Sequence, residues 1–176
     1  MEKHPQETGL YDSLSALGIA YDVVEHDPVF TVEESAHLHE QIAGDHTKNL
    51  FLKDAGGQYW LVTVPADARV DLKALPASIG SKRVSFGKGE DMERLLDITP
   101  GSVTPLAGFN DKDGAVRIVL DEALAKAPLV QVHPLRNSAT LGLSGADLLR
   151  ALESWGHAPL VASIPGFKFR LSLLPF

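Results

Sequence analysis

The sequence predicts one α/β (α+β) domain, a mixed, largely antiparallel sheet flanked by helices. Three observations predict it. The chain has 176 residues, 44 % of them apolar and 22 % charged, which suits a single domain with one core. Segments of helical period alternate with short apolar runs of strand length. Two of those runs are joined by Asp54-Ala55-Gly56-Gly57, a turn that makes a hairpin and hence antiparallel neighbours. The domain is expected to fill residues 1–176, with its core over about 10–165 and an apolar tail over 166–176.

The elements follow in order. Leu10, Leu14 and Leu17 recur at helical spacing, and Gly18 stops that helix. Ala20 to Glu25 reads as a strand. Thr31-Val32-Glu33-Glu34 has the form of a capping box, in which Thr31 caps the helix and Glu34 reaches back; the helix should run to about Ile42. Lys48 to Lys53 and Gln58 to Val64 are the hairpin strands. Asp71 to Ala77 and Glu90 to Leu96 read as helices, the first shortened or kinked by Pro76. Ile98 to Asn110 is rich in Gly, Pro, Thr and Ser and reads as a loop. Ala115 to Leu120, Leu129 to His133 and Ala139 to Leu143 read as strands. Ser144 caps a last helix, Ala146 to Trp155, which Gly156 closes. Ile164 to Phe176 is apolar, holds two prolines and has no clear period. It is expected to pack back on the domain or against a partner.

Composition narrows the function classes. No run of about 18 apolar residues exists, so no membrane span is expected. The polar start, Met1 to Glu7, lacks the apolar stretch of a signal peptide. The absence of cysteine removes disulfides, thiol catalysis and cysteine-ligated metal. A cytoplasmic protein is the simplest reading. The net charge of −7 speaks against a nucleic-acid partner, but it is unevenly spread. Residues 1–45 carry Lys3 and ten acids, whereas 69–88 carries Arg69, Lys73, Lys82, Arg83 and Lys88 against Asp71 alone. A local basic patch can hold phosphates on an acidic protein. The same stretch also reads as a solvated loop with some lysines.

Several motifs fail on spacing. Gly142-Leu143-Ser144-Gly145 lacks the residue that a nucleophile elbow needs between Ser and the second Gly. Gly87-Lys88-Gly89 is no phosphate loop. His37 and His39, two apart on a helix, point to different faces, and His26, His46 and His133 are scattered. No metal and no cofactor are expected.

Four segments stand out together: Phe30-Thr31-Val32-Glu33-Glu34, Lys48-Asn49-Leu50-Phe51-Leu52, Gly101-Ser102-Val103-Thr104-Pro105, and His133-Pro134-Leu135-Arg136-Asn137-Ser138-Ala139-Thr140. Each has an ordinary reading. Lys48 heads a strand suited to burial, where it either aims its ammonium into a cleft or snorkels at the strand end. Gly101 permits close backbone approach to a ligand, or simply turns the chain. Pro134 biases His133 toward an extended backbone at the end of an apolar strand. Asn137 and Thr140 are short polar groups of the kind that form turns.

In this order and separation, over about Leu10 to Pro165, the segments resemble the YbaK and prolyl-tRNA synthetase insertion-domain superfamily. They are most similar to its free-standing branch, which clears alanine from prolyl tRNA. The resemblance implies an aminoacyl-tRNA deacylase whose site takes the aminoacyl end of tRNA. Lys48 matches the essential lysine, Gly101 and Pro105 the loop that holds the substrate backbone, and His133 the histidine that shapes the pocket. Thr31 and Val32 fall where a pocket wall begins its helix, and Asn49, Ser102, Val103, Asn137 and Thr140 complete the substrate-binding set. Arg69, Lys73, Lys82, Arg83 and Lys88 become the expected tRNA contacts. The implied partners are the tRNA acceptor end and, through the family, prolyl-tRNA synthetase, with no membrane and no DNA. A Cys-tRNA deacylase, a catalytically silent module that docks tRNA or a synthetase, and an unrelated small-molecule hydrolase are the competing readings. The last lacks any triad or metal motif.

Overall fold

The structure is a computed structural model whose description covers residues 3–29 and 32–167. Helix α1 (Glu7–Ala16) buries Leu10 and Leu14, the residues that gave it its period. It leads to strand β1 (Asp22–Glu25) and helix α2 (Val32–Gln41). The hairpin forms, from β2 (Asp45–Asp54) and β3 (Tyr59–Pro65), in unbroken register from Thr47↔Pro65 to Lys53↔Tyr59, but β2 begins at Asp45, so Lys48 lies inside the strand, paired with Val64, rather than at its head. Asp54 fastens the turn: its carboxylate accepts from the N–H groups of Gly56 and Gln58 and from the Trp60 indole.

The expected helix over Asp71 to Ala77 is displaced and short. Helix α3 (Leu75–Ile79) begins where Pro76 can sit in a first turn, and Asp71 instead caps the preceding turn through the N–H groups of Lys73 and Ala74. Strand β4 (Val84–Phe86) and helix α4 (Gly89–Leu96) follow. The expected loop after Ile98 holds two short 3-10 turns, Pro100–Ser102 and Pro105–Phe109; Thr104 caps the second through Leu106 N–H. Then come β5 (Val116–Asp121), α5 (Glu122–Ala125), β6 (Val130–Val132), β7 (Ala139–Leu143), α6 (Gly145–Ser154) and β8 (Leu160–Ala162). Ser144 caps α6, its hydroxyl accepting from Asp147 N–H. The expected cap at Thr31 lies outside the described residues, as does the tail from 168 onward. The tail's start, Gly166, bridges Val70.

The strands form one mixed sheet in the order β1-β7-β6-β2-β3-β5-β8, with β4 also on β2. Among the described residues four pairings are antiparallel (β1–β7, β2–β3, β2–β4, β6–β7) and three parallel (β2–β6, β3–β5, β5–β8). A larger core packs α1, α4, α6 and the 3-10 turns on one face around Leu10, Leu61, Leu106, Leu141 and Leu152. A smaller core packs α3 on the other around Leu52, Trp60, Val62 and Leu75.

One irregularity positions the site. On the edge of β2 away from β3, β6 pairs only with Asp45 and His46, and β4 pairs only with Leu52 to Asp54. Between them that edge of β2 is open. Asp45 N–H donates to Leu129 across this edge and the Phe51 carbonyl accepts from Gly87. By strand alternation Asn49, between them, directs its own peptide groups into the gap. Gly44 makes the entry possible. Its φ is 107°, and a Cβ there would stand 2.8 Å from Leu129 Cγ, so a larger residue would push the start of β2 off β6.

Candidate active site

The gap in the sheet is a cleft of about 240 Å³. Its lining includes Lys48 and Asn49 from β2, Pro100, Gly101 and Val103 from the loop, Val132 and His133 from the end of β6, and Thr140 from β7. Six residues expected from the sequence thus converge: Lys48, Asn49, Gly101, Val103, His133 and Thr140. β6 pairs β2 only through Val130 and Gln131, and Pro134, which has no N–H, is unsuited to resume the ladder, so the edge of β2 stays open past His46.

Lys48 is half-buried and makes no salt bridge or hydrogen bond among the described residues. Its ammonium is available to a ligand. Asn49 beside it is engaged at both ends: its amide donates to the Val103 carbonyl at 3.0 Å and its oxygen accepts from Thr63 at 2.6 Å. The side chain therefore ties the substrate loop to the sheet. In that loop Ser102 N–H donates to Thr99 within the turn, while the N–H groups of Gly101 and Val103 have no protein acceptor among the described residues. Those two N–H groups, beside an unpaired ammonium, are what a developing oxyanion needs.

His133 sits at the cleft wall with Nδ1 donating to the Ala139 carbonyl at 3.1 Å. A carbonyl only accepts, so Nδ1 carries the proton and the neutral ring offers Nε2 as an acceptor. Burial pushes this imidazole below its ordinary value, and nearby His26 adds to that, against the opposing hydrogen bond to Ala139. Burial thus favours the neutral ring. Thr140 is oriented in turn: its hydroxyl bonds His26 Nε2 at 2.8 Å, while His26 Nδ1 donates to the Asp27 carbonyl.

Other expected residues fall elsewhere. Ser102 and Asn137 face a second cavity behind the loop, lined also by His4, Asp97 and Arg136. Asn137 reaches the Val29 carbonyl at 3.4 Å. Pro105 is buried and starts the second 3-10 turn. Val32 opens α2, and Thr31 lies outside the described residues. Lys82 and Arg83 are exposed at the far end of the β2–β3 hairpin, where Arg83 accepts from Ala55 N–H. Lys88 precedes α4, whose first residue, Gly89, abuts Pro100 of the cleft rim. Arg69 lies beside the tail, its carbonyl accepting from Phe167, and Lys73 is exposed before α3.

Sequence reasoning missed three groups. His39 and His46 stack with ring centroids 4.1 Å apart on the cleft lining, and burial, with His46 adding to it, pushes His39 below its ordinary value. Gln131 fills the floor, its amide donating to the Ala43 carbonyl. It fits because its partner across the sheet is Gly142, where a Cβ would approach the Gln131 amide to 2.8 Å. Their positions seven, 85 and 11 residues apart carry no periodic signal. Although histidines gather here, no group of three or more His, Asp or Glu among the described residues is placed to hold a metal.

Arg136 was part of a recognised segment without a role. It is buried and bonds Glu7 through Nε and Nη2 at 2.8 and 3.0 Å, and Glu25 through both terminal nitrogens at 2.9 and 2.7 Å. It thereby clamps the loop between His133 and Thr140 to α1 and β1. Its neighbour Leu135 holds φ at 72°, a conformation that costs a bulky residue about 1–3 kcal/mol and persists only where surroundings impose it.

The family described as the aminoacyl-tRNA editing domain matches residues 26–151. The Prolyl-tRNA editing protein ProX of Acetoanaerobium sticklandii is 39% identical over 145 residues, 82% of this chain and 88% of that protein. The Prolyl-tRNA synthetase associated domain-containing protein 1 of Bos taurus is 42% identical over 157 residues, 86% of this chain and 91% of that protein. Two solved structures share the fold. The hypothetical protein APE2540 gives a TM-score of 0.70 at 22% identity, covering 88% of this chain and 97% of its own. A chain provisionally described as a trans-editing enzyme for prolyl tRNA synthetase gives 0.69 at 22%, covering 93% and 98%. The matched span begins at the histidine that orients Thr140, ends within α6 and encloses every described cleft residue named above, and on it the chain belongs to the aminoacyl-tRNA editing domain family, an aminoacyl-tRNA deacylase.

Proposed function

We propose that this protein edits prolyl tRNA in trans, hydrolysing Ala-tRNA(Pro). The observation that carries this reading is the meeting of the Lys48 ammonium with two loop N–H groups, those of Gly101 and Val103, all three without a partner among the described residues, in a cleft of about 240 Å³. The names of the relatives from Acetoanaerobium sticklandii and Bos taurus point to prolyl tRNA and, in the second case, to association with prolyl-tRNA synthetase.

The chemistry asks little of the protein. Water adds to the ester carbonyl, the tetrahedral oxyanion collapses, and the C–O bond to the terminal ribose breaks. The ribose oxygen leaves with a proton that originates in the water. Lys48 and the loop N–H groups stabilise the oxyanion or position the terminal phosphate. Neutral His133 presents Nε2 to a ribose hydroxyl or the substrate amine and limits the cavity. Thr140, its hydroxyl turned toward His26, offers a lone pair to the same space. The reading needs no metal, so deacylation should survive exhaustive chelation; loss of activity that zinc restores would overturn that.

Selectivity follows from the walls. Val103 is β-branched and stiff, and the loop is anchored through Asn49. The cavity should take an alanyl methyl and resist the proline ring. Side-by-side rates on one tRNA should run alanine first, serine weaker, proline nearly silent. Val103→Ala or His133→Ala should relax this order before abolishing activity. Cysteine removed fastest would make this a Cys-tRNA(Pro) deacylase, and proline removed as fast as alanine would refute steric exclusion.

A further inference from the structure

We infer that Phe86 is a stacking platform for an unpaired base of the tRNA 3′ end as it leaves the cleft, an inference that rests on the tRNA-editing reading above. Phe86 is 64% exposed, the most exposed of the large hydrophobic side chains among the described residues. It lies on β4, an edge strand, where an exposed aromatic is a liability that edge strands ordinarily avoid. It has no aromatic partner among the described residues.

Its surroundings are cationic. The run Lys82-Arg83-Val84-Ser85-Phe86-Gly87-Lys88 holds three bases and no acid. None of these three cations pairs with a carboxylate among the described residues. An isolated aromatic among unpaired cations suits single-stranded nucleic acid, where cations track phosphates and the ring takes a base face.

Placement connects this patch to the site. β4 is the far border of the gap that forms the cleft. Phe86 is opposite Leu52, and Lys48, Leu50 and Leu52 share one face of β2, so Phe86 stands about 13 Å along the strand from Lys48 on the same face. Lys88 and Gly89 complete the path, since Gly89 abuts Pro100 on the cleft rim. A strand whose terminal ester sits at Lys48 can therefore run past Lys88 and over Phe86 toward Lys82 and Arg83.

The test compares alanine-charged proline tRNA with alanyl-adenosine, which has no nucleotide beyond the terminal one. Phe86→Ala should raise KM for the tRNA on the order of tenfold, leave kcat unchanged, and leave alanyl-adenosine turnover unchanged. Phe86→Trp should restore the KM while Phe86→Leu does not, and the new indole should be quenched by uncharged tRNA. An unchanged KM in Phe86→Ala overturns the inference. So does equal rescue by leucine, or a change of oligomeric state without a change in tRNA binding, which would make Phe86 a protein contact. A wild-type protein inactive on every charged tRNA refutes the editing reading, while quenching by uncharged tRNA still decides the stacking contact.

Discussion

Lys48→Ala should lose most deacylation while keeping its fold. Lys48 has no protein partner among the described residues, so removing it leaves no buried carboxylate behind and costs little stability. The loss falls on the transition state. One missing oxyanion donor costs about 2.7–4 kcal/mol, or roughly 10²–10³ in kcat. If the ammonium holds the terminal phosphate instead, the loss moves to KM, because binding to ground and transition states is then lost together. Steady-state kinetics on Ala-tRNA(Pro), beside a thermal melt, separate the two. A folded Lys48→Ala protein with near-normal kcat/KM defeats the mechanism and leaves the fold untouched.

Arg136→Ala should be the most destabilising of the single changes considered, and its pH dependence should have the opposite sign to wild type. Glu7 is fully buried. Burial alone would raise its carboxyl, but hydrogen bonds from Arg136, Tyr11 and the His4 N–H outweigh this and hold it below its ordinary value. Hydrogen bonding to Arg136 likewise lowers the exposed Glu25. In wild type the contribution of these carboxylates is fully present above the ordinary glutamate pKa and fades as pH falls through the lowered values. Without Arg136 the burial of Glu7 is opposed only by the Tyr11 and His4 hydrogen bonds, and breaking such a buried pair costs about 3–5 kcal/mol. Glu7 should then titrate above its ordinary value, so the variant loses least in acid and more as pH rises. Urea unfolding of both proteins at about pH 4 and pH 7 checks this, pH 4 being near the ordinary glutamate pKa. An equal loss at both pH values would show that the ion pair is not its source. Because the clamp holds the loop from His133 to Thr140, residual activity should fall with stability, and Arg136→Lys should restore only part of either, lacking the planar fork.

Much of this was legible in the chain. Leucine spacing marked α1, the Ser144 cap marked α6, and Asp54 to Gly57 marked the hairpin, because these signals lie within one turn or one strand pair. The short elements β4, α5 and β8 were not legible. Each has three or four residues, too few to show a period, and each is held by a distant partner: β8 by β5, β4 by β2. The site divides the same way. Lys48, Gly101 and His133 could be chosen from motif order, whereas the His39–His46 stack, Gln131 and the Arg136 clamp join residues with no local relation.

The sequence by itself determined the types of the longer elements, the hairpin and the family, and it nominated the candidate site residues, since period, turn chemistry and motif order are properties of neighbours along the chain. Tertiary structure alone decided where those residues meet. The cleft exists because β6 pairs β2 only as far as His46 while β4 joins β2 only from Leu52, leaving an open stretch of strand edge between them. It also decided their states. Asn49 is an anchor because Thr63 and Val103 occupy its amide, and His133 is an acceptor at Nε2 because the Ala139 carbonyl accepts from its Nδ1–H. Hydrogen-bond partners and burial set a side chain's protonation and orientation, and both depend on residues beyond its neighbours in sequence that only folding brings into contact.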